Sequence, residues 1–470
     1  MDKSYIVSGT FFGDEGKGSI IDYLSYQKGI KENVRYNGGS QASHTVIANN
    51  IKHKFSQLGS VALNDGKTYL SEYTVVNPFN LYKEAEVFSS ESKKDIREIL
   101  DRIYISKYSR VVTPYHKLLG QLRELASLDR RGSVGTGVSE TTKTFEETGL
   151  EITINDLLQM NINIKEKLRE LRSYLIMFMN QNVGKIDSAL LKKYIDPMDL
   201  YYLTQIDKDY LFNCYLNLMN GVSFNTVDNI RKFHECGDLL FEGSQGLLID
   251  RNHGIRPNTT LLDTTNKNAI VLASTLDTKI IKIGAITPFT SRHGKGLLPT
   301  QDEMLCKTIY DENQLPSYYQ GVPRYGWFDL VLARYSNEIN QNDEMFMTQI
   351  DRLSPFQKIK ICTEYIYEGI ITEEFDEIFD YYSESGKVII TRIKKNTINL
   401  KKYLSLCTPK YIEVKGWNCD ISNIKNYEEL PNECIRFIEL IESLLDTKIT
   451  YVGIGETRNQ KLERKLKWIY

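Results

Sequence analysis

Two rhythms of apolar residues alternate along this chain. Short runs at 4–8, 33–36, 238–242, 279–286, 345–349, 358–363, 388–390 and 449–454 are rich in β-branched and aromatic residues, and each predicts a strand. Elsewhere apolar residues recur at three- and four-residue spacing, as in Leu118, Leu119, Leu122, Leu125 and Ala126, and this pattern predicts helices over 85–130 and 151–238. A further helix is expected over 19–26, directly after the first strand and its glycine-rich turn. Strands that alternate with helices along the whole length predict an α/β fold. The economical reading is a single large domain, 1–470, around a central, mainly parallel, P-loop-like sheet, with a mainly helical insertion at about 151–238. No repeat and no Gly/Ser- or Pro-rich linker marks a domain boundary.

Composition narrows the function. The 470 residues carry 59 Lys plus Arg against 61 Asp plus Glu, a net charge of −2, which argues against a polycation working on nucleic acid or an anionic membrane. No run approaches the eighteen apolar residues of a membrane span, and the first residues lack the pattern of a signal peptide, so a cytoplasmic protein is expected. Seven scattered Cys without a C-x-x-C pair, and six His without H-E-x-x-H, predict reduced thiols and no zinc site. The chemistry must lie in the loops.

The first strand runs into Gly9-Thr-Phe-Phe-Gly13-Asp14-Glu15-Gly16-Lys17-Gly18. Glycines let backbone N–H groups turn toward an anion, the following helix adds its positive end, and Lys17 supplies a point charge for phosphate. The spacing matches neither the Walker loop nor the dinucleotide fingerprint. Asp14 is the informative residue, because a carboxylate inside an anion-binding loop is unfavourable without a task. It either holds Mg²⁺ against the phosphates or takes a proton from the group that attacks them; the plain alternative is a helix cap. A second loop, Asn37-Gly38-Gly39-Ser40-Gln41-Ala42-Ser43-His44-Thr45, follows the second strand and presents one His among small and amide residues. An imidazole there is placed to stabilise charge on a transferring phosphoryl group.

Together the two loops resemble adenylosuccinate synthetase, whose corresponding stretches read GTQWGDEGKG and RYQGGHNAGHT. The similarity continues in order: Phe241-Glu-Gly-Ser-Gln245-Gly resembles FEGAQG, 250–265 resembles the loop ending in NTT, 291–300 resembles TRVGAGPFPT, Tyr325-Gly-Trp327-Phe-Asp329 resembles TGWLD, and Thr348-Gln-Ile-Asp351 resembles TKLD. The resemblance implies a GTP-dependent ligase that phosphorylates O6 of a 6-oxopurine nucleotide and displaces the phosphate with an amino group, converting IMP and aspartate to adenylosuccinate. It implies Asp14 as base, with His44 and Lys17 as its catalytic partners. GTP would contact Gly13, Glu15, Gly16, Lys17, Gly18, His44, Thr45, Asp351 and Gly455. The acceptor and amine would contact Asn37, Gln41, Ser133, Gln245, Thr260, His293 and Arg324. Mg²⁺ would lie on Asp14 and the Ser43 carbonyl, and the protein would be a homodimer.

Departures from the pattern concentrate at the acceptor and amine. Val134 stands in Gly132-Ser-Val-Gly-Thr-Gly-Val-Ser139 where the family has a phosphate-binding threonine. Glu146-Glu147-Thr148-Gly149 replaces the stretch that carries the partner-supplied arginine, and so puts carboxylate where attraction to a dianion is expected. Gln320-Gly-Val322-Pro-Arg324 keeps one basic residue of an arginine-rich run, His293 replaces Val, and Gln349 replaces Lys. Two alternatives stay open: a sister ligase with a different purine acceptor or amine, and a non-catalytic sensor of GTP or a purine nucleotide.

Overall fold

A computed structural model describes residues 1–127, 132–182, 184–309 and 321–464. Gln320 lies outside them. The main sheet has ten strands: β1 (Asp2–Gly9), β2 (Glu32–Arg35), β3 (Lys67–Leu70), β4 (Ile103–Ser106), β5 (Asn225–Val227), β6 (Leu239–Glu242), β7 (Thr278–Ile286), β8 (Glu344–Met347), β9 (Ile449–Gly453) and β10 (Lys461–Glu463). Their spatial order is 10-9-8-7-1-6-2-3-4-5. Every neighbouring pair is parallel except β9 and β10. β1 therefore lies inside the sheet, covered on both faces, and its apolar centre Tyr5-Ile6-Val7 is buried, with Ile6 and Val7 fully so.

The chain leaves β1 for β2 on one side and later crosses from β6 to β7 on the other. That reversal of direction opens a crevice at the carboxyl ends of the central strands, the place where α/β sheets bind ligands. Helix α1 (Lys17–Lys28) starts at this crevice. Gly16 precedes it in the left-handed conformation (φ 69°), and Ile20, Ile21 and Leu24 pack beneath the sheet against Val7, Leu240, Ile283 and Phe346.

A second sheet of six strands (Phe289–Arg292, Arg324–Asp329, Lys358–Tyr367, Phe379–Glu384, Lys387–Ile393 and Cys407–Lys415) shares a core with the helices Leu330–Asn340 and Asn432–Leu445. The strands expected at 358–363 and 388–390 belong here and not to the central sheet.

Two stretches read as helical also contain strands of the main sheet: β4 falls within 85–130 and β5 within 151–238. Runs of four and three residues at the sheet edge are too short to register against the long helical periodicity around them. Otherwise the region is helical. Pro114–Ala126, Ile162–Asn182 and Tyr210–Gly221 bury Leu119, Leu122, Leu168, Leu175 and Tyr215 in a core shared with Leu70 of β3, Ile103 and Ile105 of β4 and Phe55. Thr113 starts the first of these helices with a capping box, in which its hydroxyl accepts the His116 N–H and the His116 ring accepts the Thr113 N–H. Among the described residues no helix is long and apolar enough to cross a membrane.

Candidate active site

A cavity of about 580 Å³ opens at the carboxyl end of β1, a size that suits a small-molecule site. Its floor is the glycine loop. Glu15 turns its carboxylate back under that loop, where Oε1 accepts the N–H groups of Phe11 (2.8 Å) and Gly13 (3.0 Å) and Oε2 meets Lys17 Nζ at 2.8 Å. Lys17 Nζ also donates to the Gly13 carbonyl at 2.7 Å. The loop is thus braced by its own buried ion pair. Glu15 does not line the cavity, whereas Gly13, Gly16, Lys17 and Gly18 do. No side chain caps α1, so its first-turn N–H groups face the space where an anion is favoured.

Two long-range contacts fasten this floor to the end of β8. Thr348 Oγ1 donates to the Glu15 carbonyl (2.9 Å), and Gln349 Nε2 donates to the Asp14 carbonyl (2.9 Å). Gln349 thus ties the neighbourhood of Asp351 to the phosphate loop by hydrogen bond. Asp351 is raised above the ordinary carboxylate range by burial, which Arg352 only partly offsets. Lys461, also in this end of the cavity, is lowered to about 8 by burial against the pull of Asp351 and Asp22. Gly455 lines the same end.

His44 opens the hairpin His44–Ala48/Ile51–Phe55 and sits over the start of α1. The approach is close enough that a Cβ on Gly18 would lie 2.5 Å from His44 Cβ. Nδ1 of His44 is 2.6 Å from Glu242 Oε1, at the end of β6, and the Glu242 carboxylate also accepts the Ser60 N–H (3.0 Å) and hydroxyl (2.6 Å). Burial works to raise Glu242, but Arg35, His44 and Ser60 together hold it at about 2; burial lowers His44 despite Glu242. A neutral ring donating Nδ1–H to an ionised carboxylate satisfies both, and it aims Nε2 at the cavity. Ser43 and Thr45 line the cavity on either side of this ring.

Asp14 and His293 occupy the middle, with His293 Nε2 3.6 Å from Asp14 Oδ2. The far end is built by Gln41, Gln245, Ser133 and Thr260, with the helix Val138–Thr148 starting at Gly137 (φ 85°) and no side-chain cap. Thr260 Oγ1 lies 3.2 Å from Ser139 Oγ. Buried polar atoms without a protein partner gather along the cavity: both amide atoms of Gln41, Gln245 Oε1, His293 Nδ1 and Asp351 Oδ1. Native proteins rarely leave such atoms unpaired, and these five line a cavity where a ligand can complete their hydrogen bonds.

Besides Glu15, two expected contacts do not line this cavity. Asn37 holds neighbouring loops, accepting the Ser244 N–H (2.7 Å) and donating to the Asp263 carbonyl (3.2 Å). Arg324 donates to the carbonyls of Gly294 (2.7 Å) and Gly296 (2.9 Å) and to Gln301 (3.0 Å), and so props the loop that carries His293. Glu147 also departs from the expected repulsion. It is engaged by Arg123 and Tyr174, Glu146 is engaged by Arg251, and neither lines the cavity.

Sequence reasoning missed several lining or supporting residues, four of which bear on the chemistry. Arg292 is buried over the Phe12 ring (4.4 Å) and is lowered to about 9 by burial and by Arg324. Lys295 is exposed at the cavity wall. Glu242 and Lys461 are ionisable residues in short buried strands, a signal that was legible in principle because such groups are costly there without a partner.

Residues 6–462 match the family model for adenylosuccinate synthetase. The chain belongs to the adenylosuccinate synthetase family. It is a GTP-dependent, C–N bond-forming ligase of that type. Among its relatives, adenylosuccinate synthetase of Fusobacterium nucleatum is 30% identical over 97% of this chain and 98% of its own length. The synthetase of Clostridium novyi is 29% identical over 98% of each. A fully ligated adenylosuccinate synthetase from Plasmodium falciparum superposes with a TM-score of 0.76 at 23% identity, covering 98% of this chain and 99% of the other. The succinoaminodeoxyadenylate synthetase of cyanophage S-2L, solved with dGMP and dATP, superposes with a TM-score of 0.55 at 12% identity, covering 99% and 96%. These two likenesses establish the shared adenylosuccinate synthetase fold.

Proposed function

We propose that this chain joins the amino group of aspartate to C6 of IMP at the expense of GTP, and that one cavity carries both half-reactions. Asp14 takes the N1 proton of the purine, and O6 attacks the γ-phosphorus as the bond to GDP breaks. The amine then attacks C6, the C6–O6 bond breaks and inorganic phosphate leaves, a far better leaving group than the original oxygen. His44, held by Glu242, presents Nε2 to the transferring phosphoryl group, and phosphate negative charge favours the protonated, donating ring. The amides at the start of α1 and Lys17 face the triphosphate. Asp351 accepts the guanine N–H edge, and Gln41, Gln245, Ser133 and Thr260 hold the acceptor. The observation that carries this reading is that Asp14, His44 and the uncapped start of α1 meet in one cavity whose unpaired polar atoms run from Asp351 to Gln41.

Mg²⁺ fits the oxygen donors available, the Asp14 carboxylate and the Ser43 carbonyl. Among the described residues no group of three or more His, Cys, Asp or Glu forms a cage, as befits a cation that takes most of its ligands from phosphate and water. When bound, it neutralises phosphate charge. A homodimer rests on the family resemblance, and a cytoplasmic location on the sequence pattern; sedimentation tests the first.

Val134 favours a second reading. It lines the acceptor end, 42% exposed, with no hydrogen bond to offer a phosphate, and His293 adds a ring beside Asp14. On this reading the acceptor is a different 6-oxopurine, such as a deoxynucleotide or nucleoside. Mass spectrometry of products from a panel of 6-oxopurine nucleotides and nucleosides with several amino acids, GTP and Mg²⁺ decides. Adenylosuccinate as the dominant product supports the first reading; selective turnover of another acceptor replaces it with the second.

A further inference from the structure

At the Asp351 end of the cavity, a half-buried carboxylate and a buried ammonium line the same wall without pairing to each other. Asp351 Oδ1 is buried and has no hydrogen-bond partner among the described residues. Lys461 is 6% exposed, and its Nζ donates to the carbonyls of Gly455 (2.6 Å) and Thr457 (3.1 Å). An ammonium has three N–H donors, so one remains for the cavity that the side chain lines. The stem of Lys461 is fixed in place. A Cβ on Gly453 would lie 3.2 Å from Lys461 Cδ and 3.3 Å from Thr348 Cα, so the side chain crosses the end of β9 beside the turn that carries Asp351.

Arg352 Nε stands 3.9 Å from Asp351 Oδ2, which leaves Oδ1 for the cavity, and the other charges nearby have closer partners. Asp22 is held by Arg458 at 2.5 Å and Glu456 by Arg352 at 2.7 Å. Lys461 feels Asp351, Asp22 and Glu456 electrostatically, yet no ion pair joins Lys461 to Asp351 among the described residues. This end of the cavity is therefore lined by both an acceptor and a donor. That pattern complements a lactam edge, in which a ring N–H stands next to a carbonyl oxygen.

We propose that Lys461 reads the C6 carbonyl oxygen of the donor nucleotide's base while Asp351 takes the adjacent N–H, making Lys461 a specificity-determining residue for 6-oxopurine over 6-aminopurine donors. The inference rests on the reading that the base of GTP meets Asp351. Guanine and hypoxanthine satisfy both groups. Adenine presents the reverse order, turning a lone pair on N1 toward the carboxylate and an N–H on N6 toward the ammonium. Discrimination then comes from two buried groups left unsatisfied by the wrong base, the kind of rejection a purely apolar pocket cannot provide.

Equilibrium binding of GDP, IDP and ADP in the presence of Mg²⁺, measured by calorimetry on the full chain, tests this. Lys461→Met is expected to weaken GDP and IDP at least tenfold and to leave ADP within twofold, with Lys461→Gln recovering part of the loss through its amide N–H. If Lys461→Met does not fold, Lys461→Gln carries the test, with a smaller loss confined to GDP and IDP. Unchanged GDP binding, or an equal loss for all three nucleotides, overturns the proposal. Asp351→Asn separates the two levels of the argument. If that variant binds GDP as tightly as the parent, the base does not lie here and the underlying reading fails. If it loses GDP while Lys461→Met does not, only the role of Lys461 fails.

Discussion

The two ends of the cavity are built differently. At the phosphate and base end, the loop holds itself together through Glu15 and Lys17, is fastened to the end of β8 by Thr348 and Gln349, and sits under a histidine anchored by a buried carboxylate. At the acceptor end, the walls are a glycine-rich loop, a helix start without a side-chain cap, and two glutamines, of which Gln41 has both amide atoms and Gln245 its Oε1 unpartnered among the described residues. Departures from the family pattern gather in the second region, and in the first Gln349 replaces a lysine. A braced region has many contacts that a substitution must preserve at once, whereas a wall that meets only its ligand can change with that ligand. The acceptor end is where this ligase acquired its individuality.

The sharpest way to break this contrast is at its centre. Asp14→Asn is expected to lower acceptor-dependent GTP cleavage by about 10³-fold or more, in the range of general-base removal, while GDP binding stays within a few-fold; full turnover would remove Asp14 as the base. Next in size is Gly18→Ala, where the new methyl meets His44 Cβ at 2.5 Å and must displace the ring. A fall in kcat of about 10² with little change in the acceptor KM is expected, consistent with loss of an oriented donor, and equal damage to both constants would count against a role for His44 in transfer.

A smaller change should sharpen the acceptor end. Val134→Thr supplies the hydroxyl that the wall lacks, and a hydrogen bond to a charged phosphate predicts an acceptor KM lower by about tenfold. No change would place the phosphate elsewhere. The least effect at neutral pH is expected from His116, which supports the acceptor loop from below: a Cβ on Gly137 would touch the Lys117 N and His116 carbonyl carbon at 2.5 and 2.8 Å. Burial lowers His116 to about 3. The unfolded chain binds a proton near pH 6.5 and the folded one does not, so stability is lost as pH falls from about 6.5 toward 3. Thermal melts should show His116→Gln less acid-sensitive than the parent across that window, and parallel pH curves would refute the assignment.

Much of the donor end was legible because glycine loops, a helix start and an isolated aspartate are local signals. The acceptor end was less so. Asn37 and Arg324 have the right chemistry for a ligand, but their donors and acceptors are engaged by Ser244, Asp263, Gly294 and Gly296, partners that lie elsewhere in the chain. The expected repulsion from Glu147 vanished for the same reason, since Arg123 reaches it from another helix.

The sequence by itself determined the strand-and-helix alternation, the phosphate loop and the position of its carboxylate, because each depends on residues adjacent in the chain and on backbone freedoms that glycine alone supplies. Only the tertiary structure decided that Glu242 holds His44 across 198 residues and that Thr348 meets Glu15 across 333. Strand order sets which loop ends converge, and burial then decides which polar groups pair with one another and which are left for the substrates.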